Sequence, residues 1–325
     1  MRLRRSELTK PGYGRRRSGK GFRYLDTDGT TTLRDQDAVT RIKELVIPPA
    51  WTDVWISTDP RGHIQATGQD AAGRKQYLYH PDWRTARDEK KFEHALEIAE
   101  RLPEMRSRLC TDLSGRGLTR ERVLAAVVRL LDMGMFRVGS DQYARRDEDP
   151  SYGLSTLLPE HVRVRGGCVV LEFTGKSGVE HANPVEDGEV CQVLRDLKRR
   201  RRGEQRLFAY WDPAGRRWRD IRADDINAYL REISGEEMTA KDFRTWHGTV
   251  KAAEELAAAG PQKTKTARKK AVSHAMKEVA EMLGNTPAVA RSSYVDPRVV
   301  EEFEKGRTVP QDEPVEQAVL DMLSD

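Results

Sequence analysis

The hydrophobic pattern of this 325-residue chain changes near residues 80–90, and this change constrains the fold more than any other feature. Before it, short aromatic and β-branched runs are separated by the turn sequences Asp28-Gly29 and Pro60-Arg61-Gly62. Such turns between alternating runs are typical of β-hairpins, so this region is predicted to be a small antiparallel sheet. One helix is predicted within it at about residues 35–45, and it ends before Pro48 because proline cannot continue a helix.

After the change, long amphipathic stretches predominate, and in one of them Leu124, Val127, Val128 and Leu131 recur at helical spacing. The pair Gly166-Gly167 separates two β-branched runs and predicts a hairpin of strands at 162–165 and 168–173. The predicted fold class is therefore α+β: a small antiparallel β-sheet N-terminal domain and a larger, mainly α-helical domain with a small β-hairpin sheet. Helices are predicted at about residues 86–108, 119–133, 188–199, 223–233, 240–259 and 267–283.

The two ends of the chain carry opposite charge. Residues 1–20 hold eight lysines and arginines against one acid, Glu7, which predicts a disordered basic arm, with a transit peptide as the alternative. Beyond Arg307 the chain is acidic, and a last short helix is predicted at 314–323. The predicted boundaries are 1–20 for the basic arm, 21–85 for the β-rich domain, 86–306 for the helical domain and 307–325 for the acidic tail.

Composition excludes several classes of protein. Charged residues make up 34% of the chain, above the usual value of about 25%, and no stretch approaches the roughly 20 apolar residues of a membrane span. The three cysteines are widely spaced and form no Cys-x-x-Cys pair, so neither a zinc site nor a disulfide framework is predicted, and a reducing cytosol fits. The seven histidines show no zinc spacing and are predicted to be isolated structural or surface residues.

Two basic residues stand in short motifs that combine them with glycine. Arg137 follows an apolar helix in the sequence Met135-Phe136-Arg137-Val138-Gly139, and Lys176 lies between Gly175 and Gly178 at the tip of a predicted hairpin. Glycines permit tight turning, so such a lysine can be pushed into a groove and withdrawn. Each motif by itself also has an ordinary explanation, as a surface arginine at a helix end or a solvated turn lysine.

Further along the chain, three more polar residues complete a set. Arg244 is the first of them, and helical spacing places it on the same helix face as Lys241, one turn away. Asn285 comes directly after Gly284, a predicted helix stop, and Tyr294 follows nine residues later. Two arginines, a lysine, an amide and a phenol together suit the cleavage of a phosphodiester by a tyrosine, with no metal required.

These segments resemble the catalytic blocks of type IB DNA topoisomerases, in particular the compact bacterial branch that is related to the poxvirus enzymes. The resemblance runs from about residue 21 to residue 303. Further segments that are similar to family signatures lie in the N-terminal half: Gly21-Phe22-Arg23-Tyr24, Ile47-Pro48-Pro49-Ala50-Trp51, Gly62-His63-Ile64-Gln65-Ala66-Thr67-Gly68 and Gly73-Arg74-Lys75-Gln76-Tyr77-Leu78-Tyr79-His80.

The resemblance implies a role for each residue of the set. Tyr294 would attack the scissile phosphorus and form a 3′-phosphotyrosyl enzyme, while Arg137 and Arg244 would clamp the non-bridging oxygens with planar, permanently charged guanidinium groups. Lys176 would protonate the departing 5′ oxygen. Asn285 would donate a hydrogen bond to a phosphate oxygen; many relatives have histidine there, and an amide cannot titrate.

The resemblance also implies contacts with DNA. Residues 74–79 alternate as a strand would, with Arg74, Gln76 and Leu78 on one side and Lys75, Tyr77 and Tyr79 on the other. Gln76 could read an adenine edge in the major groove, and the alternative is an ordinary sheet with one packed tyrosine. The predicted DNA-binding residues are Arg74, Gln76, Tyr77, Tyr79, Tyr143 and Lys241.

The sequence thus predicts a monomeric, C-shaped clamp on double-stranded DNA, preferably supercoiled, that cleaves one strand transiently, lets it rotate and religates it. No ATP, metal or other cofactor is expected, because one phosphodiester is exchanged for another of similar energy. No membrane partner is expected either. The expected location is the cytoplasm, in association with the nucleoid. One alternative is a tyrosine site-specific recombinase, although recombinases usually have histidine where Lys241 stands. A second is a DNA-binding protein without activity.

Overall fold

The computed structural model describes residues 2–145, 148–165, 168–200, 206–235 and 237–324. The chain divides into two compact units, Met1–Lys91 and Phe92–Asp325. The predicted boundary at 85/86 falls inside a single long helix, α2 (Pro81–Leu113), which begins in the first unit and continues in the second. No helix of the described residues combines the length and the apolar character needed to cross a membrane.

The first unit is an antiparallel five-stranded sheet with one helix. Its core consists of apolar side chains from both, including Ile42 of the helix and Ile56 and Ala66 of the sheet. The elements are β1 (Tyr13–Ser18), β2 (Gly21–Leu25), α1 (Gln36–Glu44), β3 (Thr52–Ile56), β4 (Ile64–Gln69) and β5 (Lys75–Tyr79). The order across the sheet is β2-β1-β3-β4-β5, which confirms the predicted N-terminal sheet and its helix.

The prediction of a disordered arm is wrong for residues 13–18, because they form strand β1 between β2 and β3. Arg15 explains the difference. Its guanidinium group donates hydrogen bonds of 2.8–2.9 Å to the carbonyl oxygens of Ile47, Pro48 and Trp51 and lies 4.1 Å from the ring centroid of Phe22. Arg15, one of the eight basic residues on which the prediction of a disordered arm rested, therefore stabilises the sheet.

The second unit is mainly helical. Helix α3 (Arg120–Asp132) is buried on almost every side, since residues 123–128 have no exposed surface, and other elements of the unit pack around it. The remaining helices are α4 (Asp141–Ala144), α5 (Gly188–Arg199), α6 (Ala223–Ser234), α7 (Ala240–Ala259), α8 (Lys265–Leu283), α9 (Pro287–Ser293), α10 (Pro297–Glu304) and α11 (Val315–Ser324). All six predicted helices of this part are confirmed, with ends shifted by a few residues.

Two small sheets accompany these helices. One has three antiparallel strands in the order β6 (Val162–Arg165), β7 (Cys168–Thr174) and β8 (Glu180–Val185), and the other pairs β9 (Ala209–Asp212) with β10 (Arg217–Asp220). The predicted pair of β6 and β7 is confirmed, but its turn, Gly166-Gly167, lies outside the described residues. Strand β8 was predicted only as the unplaced second strand of the Lys176 hairpin, and β9 and β10 were not predicted, because the polar composition of these strands hides the alternation.

The acidic tail packs onto the second unit. The predicted last helix is confirmed as α11, with Val319 and Leu323 buried. Glu316 of this helix forms an ion pair with Arg106 of α2 at 2.6 Å, and Arg298 of α10 donates to the carbonyl oxygen of Leu323 at 3.0 Å. The end of the chain is thus attached by apolar and charged contacts.

Replacing Arg15 by alanine is expected to destabilise the N-terminal sheet by about 1–3 kcal/mol, because three carbonyl oxygens lose a charged donor. Amide hydrogen exchange of strands β1–β3 in the full chain measures this change. Arg17→Ala, on the exposed end of the same strand, is the matched control. Equal protection of these strands in both variants would contradict a structural role for Arg15.

Candidate active site

Helix α7 carries Arg244 into the interior of the second unit. The helix begins after Thr239, whose N–H donates to the Asp242 carboxylate at 2.8 Å, a hydrogen bond that fixes the first turn. Only 3% of the Arg244 surface is exposed. Its Nη2 donates to the carbonyl oxygen of Leu283 at 2.8 Å, and its Nη1 lies 3.4 Å from that of Met135.

Arg137 reaches the same place from the loop after α3. Its Nη2 lies 3.0–3.1 Å from three acceptors, the carbonyl oxygens of Leu283 and Gly284 and the Asn285 Oδ1. Gly284 ends α8 in a left-handed conformation, as predicted, and Asn285 N–H donates back to the Ala280 carbonyl oxygen at 2.8 Å. The end of α8 thus brings two arginines and an amide together.

Tyr294 comes directly after α9 and lies against α7. The Arg244 guanidinium carbon is 5.0 Å from the centroid of the Tyr294 ring. The backbone of Tyr294 is close to Gly248, where an added Cβ would lie 2.7 Å from the Tyr294 carbonyl oxygen. The Thr249 hydroxyl lies 3.3 Å from the same oxygen and accepts from Asp296 N–H at 3.1 Å. Helix α7 therefore fixes both Arg244 and the tyrosine.

Burial and the neighbouring charges together shift the pKa values of the groups in this cluster. Burial, and then the charge of Arg137, lowers the pKa of Arg244 to about 10, so the group is still cationic at neutral pH. Burial alone would raise the pKa of Tyr294. The positive charge of Arg244 and its hydrogen bonding to the phenol, followed by the charges of Arg137 and Lys241, outweigh burial, and the pKa of Tyr294 lies below its ordinary value. The cluster favours a phenolate and, more generally, an anion.

Two buried donors of the cluster, Arg244 Nε and Asn285 Nδ2, have no hydrogen-bond partner among the described residues. A buried unpaired donor costs about 1–3 kcal/mol, so native structures keep few of them. The other polar atoms of these side chains are paired: those of Arg244 with the carbonyl oxygens of Leu283, Gly134 and Met135, and the Asn285 Oδ1 with Arg137. This arrangement suits an oxygen-rich ligand.

Lys176 lies at the tip of the β7–β8 hairpin, between two glycines, as predicted. Its side chain is exposed, and among the described residues its ammonium group makes no hydrogen bond to the arginine cluster. The hairpin itself does reach the cluster. A Cβ added at Gly284 would lie 3.8 Å from the Val179 Cγ1 and from the His181 Cε1, and 3.7 Å from the Arg137 Nη1.

Two of the histidines have charged side chains from other elements of the second unit as neighbours. His181, on β8, lies beside the cluster, and its pKa is lowered by burial and then by the charges of Arg137 and Arg244. His247, on α7, is 3.1 Å from the buried carboxylate of Asp132. The spacing of histidines along the sequence does not show which charged groups lie beside them in the fold. The bounds of strand β8, had they been predicted, would have placed His181 opposite Phe173.

The first unit carries four of the predicted DNA-binding residues on or next to β5. The predicted alternation is confirmed, since Tyr77 and Tyr79 are 41% and 38% exposed on one face while Leu78 packs on the core. The two tyrosine rings stack with centroids 6.1 Å apart. On the other side of the strand, Arg74 and Gln76 both bind the Asp70 carboxylate, at 2.8 and 2.9 Å.

The other two predicted DNA-binding residues belong to the second unit. Tyr143 is half-buried on the short helix α4, which follows Arg137 in the chain. Lys241 is exposed in the first turn of α7, close enough for its charge to act on Tyr294. In the described ranges, no three His, Cys, Asp or Glu side chains are grouped so that they could hold a metal ion.

Comparison with known proteins identifies the family. Residues 80–313 match the family model of the eukaryotic DNA topoisomerase I catalytic core, and residues 21–70 match that of the bacterial DNA topoisomerase IB N-terminal domain. The DNA topoisomerase 1B of Acanthamoeba polyphaga mimivirus is 31% identical over 290 residues, which cover 87% of this chain and 85% of the viral protein. The DNA topoisomerase 1B of vaccinia virus (strain Copenhagen) is 21% identical over 284 residues, or 82% of each chain.

This chain therefore belongs to the type IB DNA topoisomerases. It is an enzyme of that family, and family membership favours the topoisomerase prediction over the recombinase and over the DNA-binding protein without activity.

Gly248→Ala is expected to destabilise the protein by about 1–3 kcal/mol, because the added methyl group overpacks the contact with the Tyr294 backbone. In an ordinary helix interior the same change stabilises by up to about 1 kcal/mol. The sign of the change in the free energy of unfolding therefore shows whether the tyrosine backbone lies close to Gly248. Thermal unfolding measures it, with Gly188→Ala, a helical glycine with open space around it, as the control. A higher Tm for Gly248→Ala would contradict the close approach.

The lowered pKa of Tyr294 predicts that its phenol ionises at a lower pH than an ordinary tyrosine, whose pKa is about 10. The difference in tyrosinate absorbance between the wild type and Tyr294→Phe isolates this one group during a pH titration. Arg244→Gln removes the largest favourable charge, so it is expected to move the transition to higher pH. A transition at or above the ordinary value in the wild type would show that burial outweighs the cations.

Proposed function

We propose that this enzyme relaxes supercoiled DNA by transient single-strand cleavage through a 3′-phosphotyrosyl intermediate, followed by strand rotation and religation. The observation that carries the proposal is the cluster at the end of α8, where Arg137, Arg244 and Asn285 meet beside a tyrosine of lowered pKa. Its unpaired buried donors, Arg244 Nε and Asn285 Nδ2, support a phosphodiester as the ligand.

In the proposed cleavage step, the Tyr294 phenol loses its proton to solvent, as its lowered pKa favours, and the oxygen attacks the scissile phosphorus. A bond forms between that oxygen and phosphorus, and the bond from phosphorus to the 5′ oxygen breaks. Negative charge increases on the non-bridging oxygens in the transition state, and the guanidinium groups of Arg137 and Arg244 stabilise it. Because the arginines are held by backbone carbonyls before DNA binds, little reorganisation is needed during the reaction.

The departing 5′ oxygen needs a proton, and we assign this proton to Lys176. A lysine is protonated at neutral pH and has a flexible stem. Its exposed position at the tip of the hairpin leaves the ammonium group able to approach bound DNA. Religation is the reverse of cleavage: the 5′ hydroxyl returns its proton and displaces the tyrosine.

The energetics of this exchange require no ATP. One phosphodiester bond is replaced by another of similar energy, and the driving force for relaxation comes from the supercoils. The two arginines supply the positive charge that a metal ion supplies in many phosphoryl-transfer sites. We therefore propose that the reaction proceeds without a metal or another cofactor.

Double-stranded DNA is the proposed partner, and a monomer the proposed active form. Supercoiled DNA would be preferred because its relaxation releases free energy. In the first unit, the exposed pair Tyr77 and Tyr79 next to Lys75 and Arg74 offers stacking and phosphate contacts, and Gln76 could read a base once it leaves Asp70. In the second unit, Lys241 and Tyr143 are proposed contacts near the scissile phosphate. Association with the nucleoid in the cytoplasm remains a prediction.

The test is relaxation of negatively and positively supercoiled plasmids in EDTA without ATP. Relaxation of both forms is expected, because strand rotation about the nicked duplex follows the torque in either direction. Activity that required ATP, added metal or a pair of specific sites would contradict the proposal.

Tyr294→Phe is expected to reduce relaxation by on the order of a thousandfold or more, since the nucleophile is removed. Plasmid binding should persist, because the arginines remain. Tyr210→Phe, a half-buried tyrosine on β9, serves as the control and should relax plasmid normally. Recovery of a DNA-linked peptide that contains a tyrosine other than Tyr294 would refute the assignment.

A further inference from the structure

His181 lies between the hairpin of Lys176 and the end of α8. On β8 it pairs with Phe173 of β7, and the two rings stack with centroids 4.8 Å apart and planes 17° apart. Phe173 in turn lies 6.4 Å from Phe136, the neighbour of Arg137. The imidazole is therefore held by the core on one side.

On its other sides the His181 ring faces two glycines, and its Nδ1 lies 3.4 Å from the Asn183 Nδ2. A Cβ added at Gly175 would lie 2.5 Å from the His181 Nε2, and one added at Gly284 would lie 3.8 Å from its Cε1. Gly175 directly precedes Lys176, and Gly284 directly precedes Asn285. The His181 side chain thus lies tight against the backbone before Lys176 and close to the backbone before Asn285.

The charges around His181 favour its neutral form. Burial lowers its pKa most, the charges of Arg137 and Arg244 lower it further, and only Glu180 acts in the opposite direction. A neutral ring adds no third cation to the arginine cluster and can pack tightly against backbone. These properties suit a spacer between two parts of the site.

We infer that His181 is a positioning residue that sets the base of the Lys176 hairpin against the Gly284–Asn285 corner, so that the Lys176 ammonium group can reach the departing 5′ oxygen. The inference rests on the proposed cleavage mechanism. Proton transfer depends steeply on geometry, and a shift of about 1 Å can cost on the order of a hundredfold in rate. Lys176 itself makes no hydrogen bond among the described residues that would set its approach, so the packing at Gly175 takes this role.

The test compares two DNA substrates in single-turnover cleavage, one with an ordinary scissile phosphodiester and one with sulfur in place of the bridging 5′ oxygen. A thiol has a pKa of about 8.5, so sulfur departs as a thiolate without needing a proton. A defect in the general acid should therefore disappear with the sulfur substrate, whereas a defect in charge stabilisation by Arg137, Arg244 or Asn285 should remain.

His181→Ala is expected to cleave the ordinary substrate roughly 10- to 100-fold more slowly than the wild type and the sulfur substrate at nearly the wild-type rate. The matched control is His161→Ala. His161 is also half-buried and packs near Phe173, with centroids 6.3 Å apart, but its other contacts are with Tyr152 and the Leu158 N–H. This control should cleave both substrates normally.

Gly175→Ala provides a second variant that leaves the histidine in place. Its backbone conformation is extended and accepts alanine, but the new methyl group would displace the imidazole, so the same pattern of slow and rescued cleavage is expected. In the Lys176→Ala background, adding His181→Ala should change the rate by less than about threefold, because both changes act on one step.

Normal cleavage of the ordinary substrate by both His181→Ala and Gly175→Ala would overturn the inference. Equal slowing on both substrates would also overturn it, because the defect would then lie outside proton donation. Failure of the wild type to cleave either substrate would instead refute the proposed function, so the two failures are distinguishable.

Discussion

The site depends on one shared acceptor, the carbonyl oxygen of Leu283. Both Arg137 and Arg244 donate to it through Nη2. Two cations held this close repel each other, and their burial adds a cost in solvation. The last carbonyls of α8 offset part of this cost because they have no partners within the helix and carry the negative end of its dipole. The remaining positive potential is available to an anion.

The same arrangement explains why Tyr294 must come so close to α7. The phenol gains from the cations only if it lies near Arg244, and its burial alone would have the opposite effect on its pKa. Gly248 permits the approach, one turn after Arg244 on the same helix, and Thr249 holds the chain just beyond the tyrosine. Helix α7 therefore determines both the charge and the placement of the nucleophile proposed here.

Much of this could be predicted from the sequence, because the signals are local. The apolar period of 3.6 residues predicts the helices, and Gly284 predicts the end of α8. The alternation at residues 75–79 predicts that Tyr77 and Tyr79 lie on the same face, where both are exposed. The failures share a different cause. Strand β1 depends on hydrogen bonds from Arg15 to carbonyls more than 30 residues away, and β8 gains its place by pairing with β7 despite a polar sequence. His181 was missed for the same reason, since its neighbours are distant in the chain.

The amide at position 285 is consistent with this electrostatic arrangement. Its Oδ1 accepts from Arg137 while its Nδ2 stays unpaired, so one neutral side chain both supports an arginine and offers a donor. A side chain that could become protonated there would add a third positive charge beside Arg137 and Arg244, whose own pKa values are already lowered by burial. An uncharged Asn285 and a neutral His181 therefore add no further repulsion to the two guanidinium groups, which suits the phosphodiester proposed as their ligand.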